Sequence, residues 1–259
     1  MTGSTLGVLD WGVGGLGFVK VLRARHPDAR VVYWSDAGET PYGKLAAPAL
    51  AARVREIAAR LARRGVDRLV VACNAASTVL PRLGAPGLCG VVSTAAGPVQ
   101  ITGVIAHATR LALRARPRAI GVIGGRRTIR SGVYRRALAG REVRQRIAQP
   151  LSARVEAGDL ASAALEGELR AILSPLRGIE ALLLACTHYP AIAPRIAAHL
   201  PGTRLLDPAD ELARWVGARW LDDARKGRDV FLTTGSPAAM AKAARAAFGV
   251  ELAATRVRR

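Results

Sequence analysis

Val70-Val71-Ala72-Cys73-Asn74-Ala75-Ala76-Ser77 and Leu183-Leu184-Ala185-Cys186-Thr187-His188-Tyr189-Pro190 are two stretches built to one pattern. Each is an apolar run that stops at an Ala-Cys pair and then turns polar. A short apolar run closed by a turn signal is the pattern of a buried parallel strand. The cysteine then stands at the carboxyl end of its strand, where open α/β sheets place their ligands. A second apolar run stands upstream of each: Leu6-Gly7-Val8-Leu9-Asp10 before the first and Ala119-Ile120-Gly121-Val122-Ile123-Gly124 before the second. Gly7 precedes Cys73 by nearly the same interval as Gly121 precedes Cys186. Two similar units, each delivering one cysteine, predict a site made between two halves.

The rest of the chain alternates between strand and helix patterns. A strand at 5–10 leads into Asp10-Trp11-Gly12-Val13-Gly14-Gly15-Leu16-Gly17, a glycine-rich turn opening a helix. Its spacing is not GxGxxG and no acidic residue stands at the expected place beyond it, so a nucleotide fold is not indicated. The turn reads as an anion-binding turn, with a purely structural tight turn as the alternative. Next come a helix at 18–26, a strand at 30–35 and a loop at 36–43 punctuated by Pro41 and Gly43. An amphipathic helix at 48–64 ends at Gly65. The first cysteine strand covers 67–73, with Asn74 and Ser77 able to cap the helix after it. Cys89-Gly90-Val91-Val92 reads as a short strand.

A helix at 96–114 crosses into the second unit. There a strand at 118–124, a polar turn at 125–134, an extended stretch at 150–158 carrying the isolated acid Glu156, a helix at 160–173 and the second cysteine strand at 179–185 succeed one another. A helix at 191–200, a strand at 203–207, a helix at 209–225, a strand at 230–233 and a helix at 237–247 complete the chain. This predicts an α/β protein of two similar parallel-sheet α/β sandwich domains related by pseudo-symmetry, with the active site in the cleft between them. The first domain is 1–97 plus 207–259 and carries Cys73; the second is 98–206 and carries Cys186. Hinges are expected near 93–98 and 206–209.

The 259 residues suffice for one large domain or two ordinary ones, and half of them are apolar. No apolar run is long enough to span a bilayer, and strand-like sequence begins too near the N-terminus for a cleavable signal. Three cysteines far apart are no disulfide framework. A soluble cytoplasmic protein is expected. The formal charge is +20, and lysine is confined to Lys20, Lys44, Lys226 and Lys242, so the excess is almost all arginine. A basic field draws in anions from small carboxylates to nucleic acid. Apart from the short tail of Arg256, Arg258 and Arg259, the arginines are scattered through helices and no reading motif accompanies them, which argues against nucleic-acid binding as the main role.

A lone buried cysteine is usually inert packing, and Cys89 is assigned there. Cys73 and Cys186 differ because each lies at a strand-to-helix turn, where a helix N-terminus favours a thiolate. His188, two residues past Cys186, is placed to assist it, with a capping role as the alternative. There is no CxxC and no Cys/His cluster at ligand spacing, so no metal site is expected.

Five blocks together resemble glutamate racemase, of the aspartate/glutamate racemase superfamily. They are Gly7-Val8-Leu9-Asp10-Trp11-Gly12-Val13-Gly14-Gly15-Leu16, Pro41-Tyr42-Gly43, Val71-Ala72-Cys73-Asn74-Ala75-Ala76-Ser77, the run from Arg126 to Tyr134, and Ala185-Cys186-Thr187-His188-Tyr189-Pro190. They run in order from residue 6 to about 210. The resemblance implies a bacterial, cofactor-independent isomerase that supplies D-glutamate for peptidoglycan, in which two α/β domains close on the amino acid. One thiolate removes the α-proton and the other thiol protonates the opposite face. By matching positions, Asp10 assists Cys73, while His188 and Glu156 assist Cys186. Asp10, Trp11, Pro41, Tyr42, Gly43, Asn74, Ala75, Thr128, Thr187 and His188 line the substrate pocket. A small acidic substrate and a homodimer are implied by the resemblance alone.

Three positions depart from the family pattern. Trp11 stands where Ser is usual, Ala75 where Thr is usual, and Gly124-Gly125 where Gly-Thr is usual. Each change removes a hydroxyl, and a lost hydrogen bond to a charged group costs about 1.5–3 kcal/mol. The proton-transfer residues therefore match while the substrate clamp is altered. Besides glutamate racemisation, the sequence leaves open another acid as substrate (racemisation of a different acidic amino acid, maleate-type isomerisation or arylmalonate-type decarboxylation) and a non-catalytic binding or regulatory homologue. Retention of both cysteines disfavours a decarboxylase needing one.

Overall fold

In the computed structural model, which describes residues 3–258, the chain forms two sheets. Strands β1 (Leu6–Asp10), β2 (Val31–Ser35), β3 (Arg68–Val71), β4 (Gly90–Thr94) and β5 (Gly97–Gly103) build most of the first. Strands β6 (Ala119–Gly124), β7 (Glu142–Ile147), β8 (Ala181–Ala185) and β9 (Arg204–Leu206) build the second, and β10 (Val230–Thr233) and β11 (Ala254–Arg256) return to the first. The first sheet runs β11-β10-β2-β1-β3-β5-β4 and the second β7-β6-β8-β9. The blocks β2-β1-β3-β5 and β7-β6-β8-β9 are the same arrangement, with every neighbour parallel. The cysteine strand of each unit, β3 or β8, holds the same place in that order. This duplication puts Cys73 and Cys186 at equivalent carboxyl ends.

Both faces of each sheet are covered, which is why the central strands are apolar throughout. Helix Ala47–Ala62 buries Leu50, Val54, Ile57 and Leu61, spaced three and four apart, against Leu9, Trp34 and Leu69. Helices Leu16–Arg25, Ala209–Trp220 and Pro237–Phe248 cover the other face. On the second sheet, helices Gln149–Glu156, Ala163–Leu173 and Ala193–His199 pack on one side, and Val104–Ala115 and Val133–Ala137 on the other. Among the described residues no helix is long and apolar enough to cross a membrane. Arg259 of the basic tail lies outside the described residues.

Four features differ from the sequence reading. The stretch read as one helix over 96–114 is strand β5 followed by helix Val104–Ala115. Pro98 and the glycines at its ends oppose a helix, while Val99 and Ile101 alternate inward. The chain therefore stays in the first sheet through Gly103. The stretch 150–158 is not extended: Gln149–Glu156 is a helix with Pro150 in its first turn, where proline costs no hydrogen bond. Strand β7, with the sequence Glu-Val-Arg-Gln-Arg-Ile, is a charged edge strand without an apolar signature. Cys89 is exposed rather than packed.

His107 sits in helix Val104–Ala115 against Trp215, the two rings edge-on at 5.0 Å. The Thr102 hydroxyl donates to the Leu88 carbonyl and accepts from His107 Nε2 at 2.8 Å, which fixes the neutral tautomer. His107 Nδ1 is buried with no partner among the described residues. Burial, together with Arg110 and Arg219, pushes the pKa down to about 4. The unfolded chain, with an ordinary histidine near 6.5, therefore binds more protons between these values, and stability falls as pH is lowered through that window. We expect the unfolding free energy from urea titration to drop between pH 7 and pH 4.5, by at most roughly 3 kcal/mol from this residue, and His107→Gln to flatten the drop. Parallel declines in both proteins would assign the effect elsewhere.

Candidate active site

The carboxyl ends of both sheets meet at a cavity of about 430 Å³. Asp10 and Trp11 reach it from the end of β1, Pro41, Tyr42 and Gly43 from the loop after β2, and Cys73, Asn74 and Ala75 from the turn after β3. From the second sheet come Thr128 after β6, Glu156 after β7, and Cys186, Thr187 and His188 after β8. Every residue assigned to the site from the sequence lines this one space.

On the second-sheet side, His188 Nδ1 lies 3.6 Å from the Cys186 sulfur and Nε2 lies 2.5 Å from Glu156 Oε1. The same Glu156 oxygen accepts the Val13 amide at 2.8 Å, across the cleft. Burial works against ionising His188, yet its hydrogen bonds to Cys186 and Glu156 raise its pKa well above the usual value. Burial likewise opposes the Glu156 carboxylate, but the bond to His188 and the Val13 amide hold its pKa below the usual range. The imidazolium thus carries a proton on each nitrogen, one towards sulfur and one towards carboxylate.

This arrangement explains the glycine-rich turn. A Cβ on Gly12 would lie 1.7 Å from Glu156 Oε1, and one on Gly14 would lie 2.3 Å from Thr187 Oγ1 and 2.8 Å from His188 Nδ1. At Gly12 and Gly14 the turn is glycine because side chains of the other sheet press against its backbone, whereas Gly15 is crowded by Tyr33 and Asp10 and Gly17 by Phe248. The turn does hold an anionic group, since its Val13 amide donates to the Glu156 carboxylate.

The Cys73 side is different. Asp10 is buried, with Oδ1 accepting the Trp11 amide at 2.6 Å and Oδ2 unpartnered among the described residues. Burial raises its pKa, against the nearby His188 charge. Burial, with the charge of Asp10, also pushes the Cys73 thiol well up, outweighing the Ala76 and Ala75 amides. The expected thiolate at this helix start is therefore not the resting form. Asn74 and Ser77 do not cap the short helix. The Ser77 hydroxyl donates back to Val71, and Asn74 Oδ1 accepts from Tyr134 of the other half at 2.6 Å, leaving Nδ2 buried and unpartnered among the described residues.

The family model for Asp/Glu/hydantoin racemases matches residues 18–216. The chain belongs to this family. It is 35% identical to a glutamate racemase of Beutenbergia cavernae over 97% of this chain and 92% of that protein. The crystal structure of glutamate racemase from Thermus thermophilus in complex with β-chloro-D-alanine superposes with a TM-score of 0.83 at 33% identity, covering 99% of this chain and 98% of that one. Glutamate racemase RacE1 from Bacillus anthracis gives 0.86 at 27% identity over 99% and 98%.

Within this racemase-family site the three altered positions all line the cavity. The Trp11 indole turns its N–H to the Glu39 carbonyl at 3.1 Å and packs on the first core. Gly125 leaves room for Gln149, whose Oε1 would lie 3.0 Å from a Cβ there. Tyr42 is pinned by its hydroxyl to Asp36, a buried carboxylate also held by Arg53, Trp34 and Thr234. Sequence reading passed over Arg127, Gln149 and Ser152 as lining residues. Arg127 lay inside a quoted block; the other two needed the helix at Gln149–Glu156 to be recognised.

Removing the carboxylate in Glu156→Gln takes away one of the two partners, beside Cys186, that keep His188 charged, so the imidazolium is lost at lower pH than in the wild type. One histidine resonance should shift its titration midpoint down by more than about one unit, and the alkaline limb of activity should move with it. Gly12→Ala, which displaces the same oxygen, should shift that resonance in the same direction. An unmoved titration in both variants would break the link between Glu156 and His188.

Proposed function

We propose that the protein interconverts L- and D-glutamate by proton transfer at Cα between Cys73 and Cys186. The observation that carries this reading is a thiol from each of two duplicated units opening into one cavity. The glutamate racemases it resembles along nearly the whole chain supply the substrate. In one direction the Cys186 sulfur takes the α-proton as the Cα–H bond breaks, and the Cys73 thiol gives its proton to the opposite face. In the other direction the thiols exchange roles. The buried, protonated state of Cys73 suits it to the donor role.

As the Cα–H bond breaks, negative charge spreads into the α-carboxylate, and donors aimed there in a water-poor site lower the barrier. Asn74 Nδ2 is such a donor, held by Tyr134 and free of other partners among the described residues. His188 carries positive charge to the Cys186 side while Glu156 fixes its ring. The reading includes a cytoplasmic location, supported by three free cysteines. It also includes a two-domain division whose crossings fall at Gly103 and near Leu206, supported by sheet membership.

Deuterium incorporation at Cα in D₂O, measured separately with D- and L-glutamate and D- and L-aspartate, tests the proposal. Exchange with inversion of glutamate is expected, reduced by on the order of 10³-fold or more in Cys73→Ala and in Cys186→Ala, with the fold retained by circular dichroism. Undiminished inversion in either variant would remove the two-thiol mechanism. No exchange of glutamate by the wild type would remove the assignment.

A further inference from the structure

Arg127 is the one arginine or lysine among the described residues lining the cavity. It stands in helix Arg126–Arg130 after β6 and reaches across to the first half, where Nε donates to the Tyr42 carbonyl at 3.1 Å and Nη2 to the Leu45 carbonyl. A guanidinium has five N–H donors, so the Nη1 pair and one Nη2 hydrogen remain. Among the described residues no carboxylate offsets its charge: burial alone acts on it and lowers its pKa. Of the acids that share the cavity, Glu156 accepts from His188 and Val13 and Asp10 accepts the Trp11 amide through Oδ1, and the Arg127 guanidinium donates to carbonyls instead.

A half-buried guanidinium without a counter-ion, in the wall of a ligand cavity, is a site for an anion, and its planar fork suits a carboxylate. Asn74 and Thr128 add neutral donors to the same cavity, and Arg127 adds the one arginine or lysine charge among the described lining residues. Ala75 and Gly125 have no side-chain donor, and Gln149 is engaged with the Arg126 amide and Ser152. The two carbonyls hold the fork in place, and one of them belongs to Tyr42, itself fixed by Asp36. We propose that Arg127 receives the side-chain carboxylate of the substrate and so restricts this site to dicarboxylic amino acids. This rests on the proposed racemase reading and adds to it the group that selects the substrate class.

The test compares glutamate with its neutral isostere glutamine in the wild type, Arg127→Met and Arg127→Lys, by Cα deuterium exchange and by calorimetric binding. Loss of a charged hydrogen-bond partner predicts a fall in kcat/KM for glutamate of roughly 10- to 100-fold in Arg127→Met, carried mainly by KM. Glutamine binding should stay within about threefold, and Arg127→Lys should keep part of the preference for glutamate. An equal loss for both ligands would mean that Arg127 only straps the loop at Tyr42 and Leu45, and no loss would mean that it meets neither; either result overturns the inference and leaves the racemase reading standing. If the wild type fails to exchange glutamate, the racemase reading falls, and calorimetry still decides here: a glutamate preference abolished in Arg127→Met upholds the inference, and one that is unchanged or absent overturns it. Should Arg127→Met not fold, Arg127→Lys decides, since a retained preference at weaker affinity supports the charge and its disappearance refutes it.

Discussion

One carboxylate oxygen ties the two halves of this site together. Glu156 Oε1, on a helix of the second sheet, accepts both the Val13 amide of the first and the ring N–H of His188. A single acceptor serving two donors from different sheets sets the distance between them to within a hydrogen bond's tolerance. It also bears on the electrostatics: a buried imidazole keeps its second proton because its hydrogen bonds to Cys186 and to the ionised Glu156 outweigh burial. The bare backbone at Gly12 and Gly14, the placement of Thr187 and the approach of His188 to Cys186 are all bound up with that contact.

The fold was legible where the strands are central. β3 and β8 are covered on both faces, so their sequences are uninterrupted apolar runs, and the polar residues after them mark the sheet edge where ligands gather. The reading failed at the periphery. β7 is an edge strand whose arginines face solvent, and β5 is embedded in an alanine-rich stretch that mimics a helix until its glycines and Pro98 are weighed. At the site, the named residues other than Glu156 were legible because they cluster in five short blocks at strand ends. Their states were not. The reversal at Cys73 comes from burial by residues remote in sequence, which outweighs two local amides. Arg127 was hidden for a related reason: an arginine in a chain rich in exposed arginine carries no mark of the one cavity it lines.

The duplication is in strand order and not in environment. The two cysteines hold equivalent places, yet one is 8% exposed beside a carboxyl group and the other stands next to an imidazolium. Tyr134 and Arg127 reach from the second half into the first, and Glu156 does the same from a third direction. The first half answers with rigidity, through the buried Asp36 cluster under Tyr42.

That inequality has a thermodynamic consequence for the proposed reaction. Mirror-image amino acids have the same free energy in water, so any catalyst must give equal kcat/KM in the two directions. Unlike thiols nevertheless make unlike barriers once substrate is bound. The two turnover numbers are then free to differ, and the cleft must hold the slower enantiomer more tightly by the same factor. A handed pocket thereby stores its bias in occupancy: at equal concentrations of both enantiomers, the resting protein is filled mostly by the one it converts more slowly.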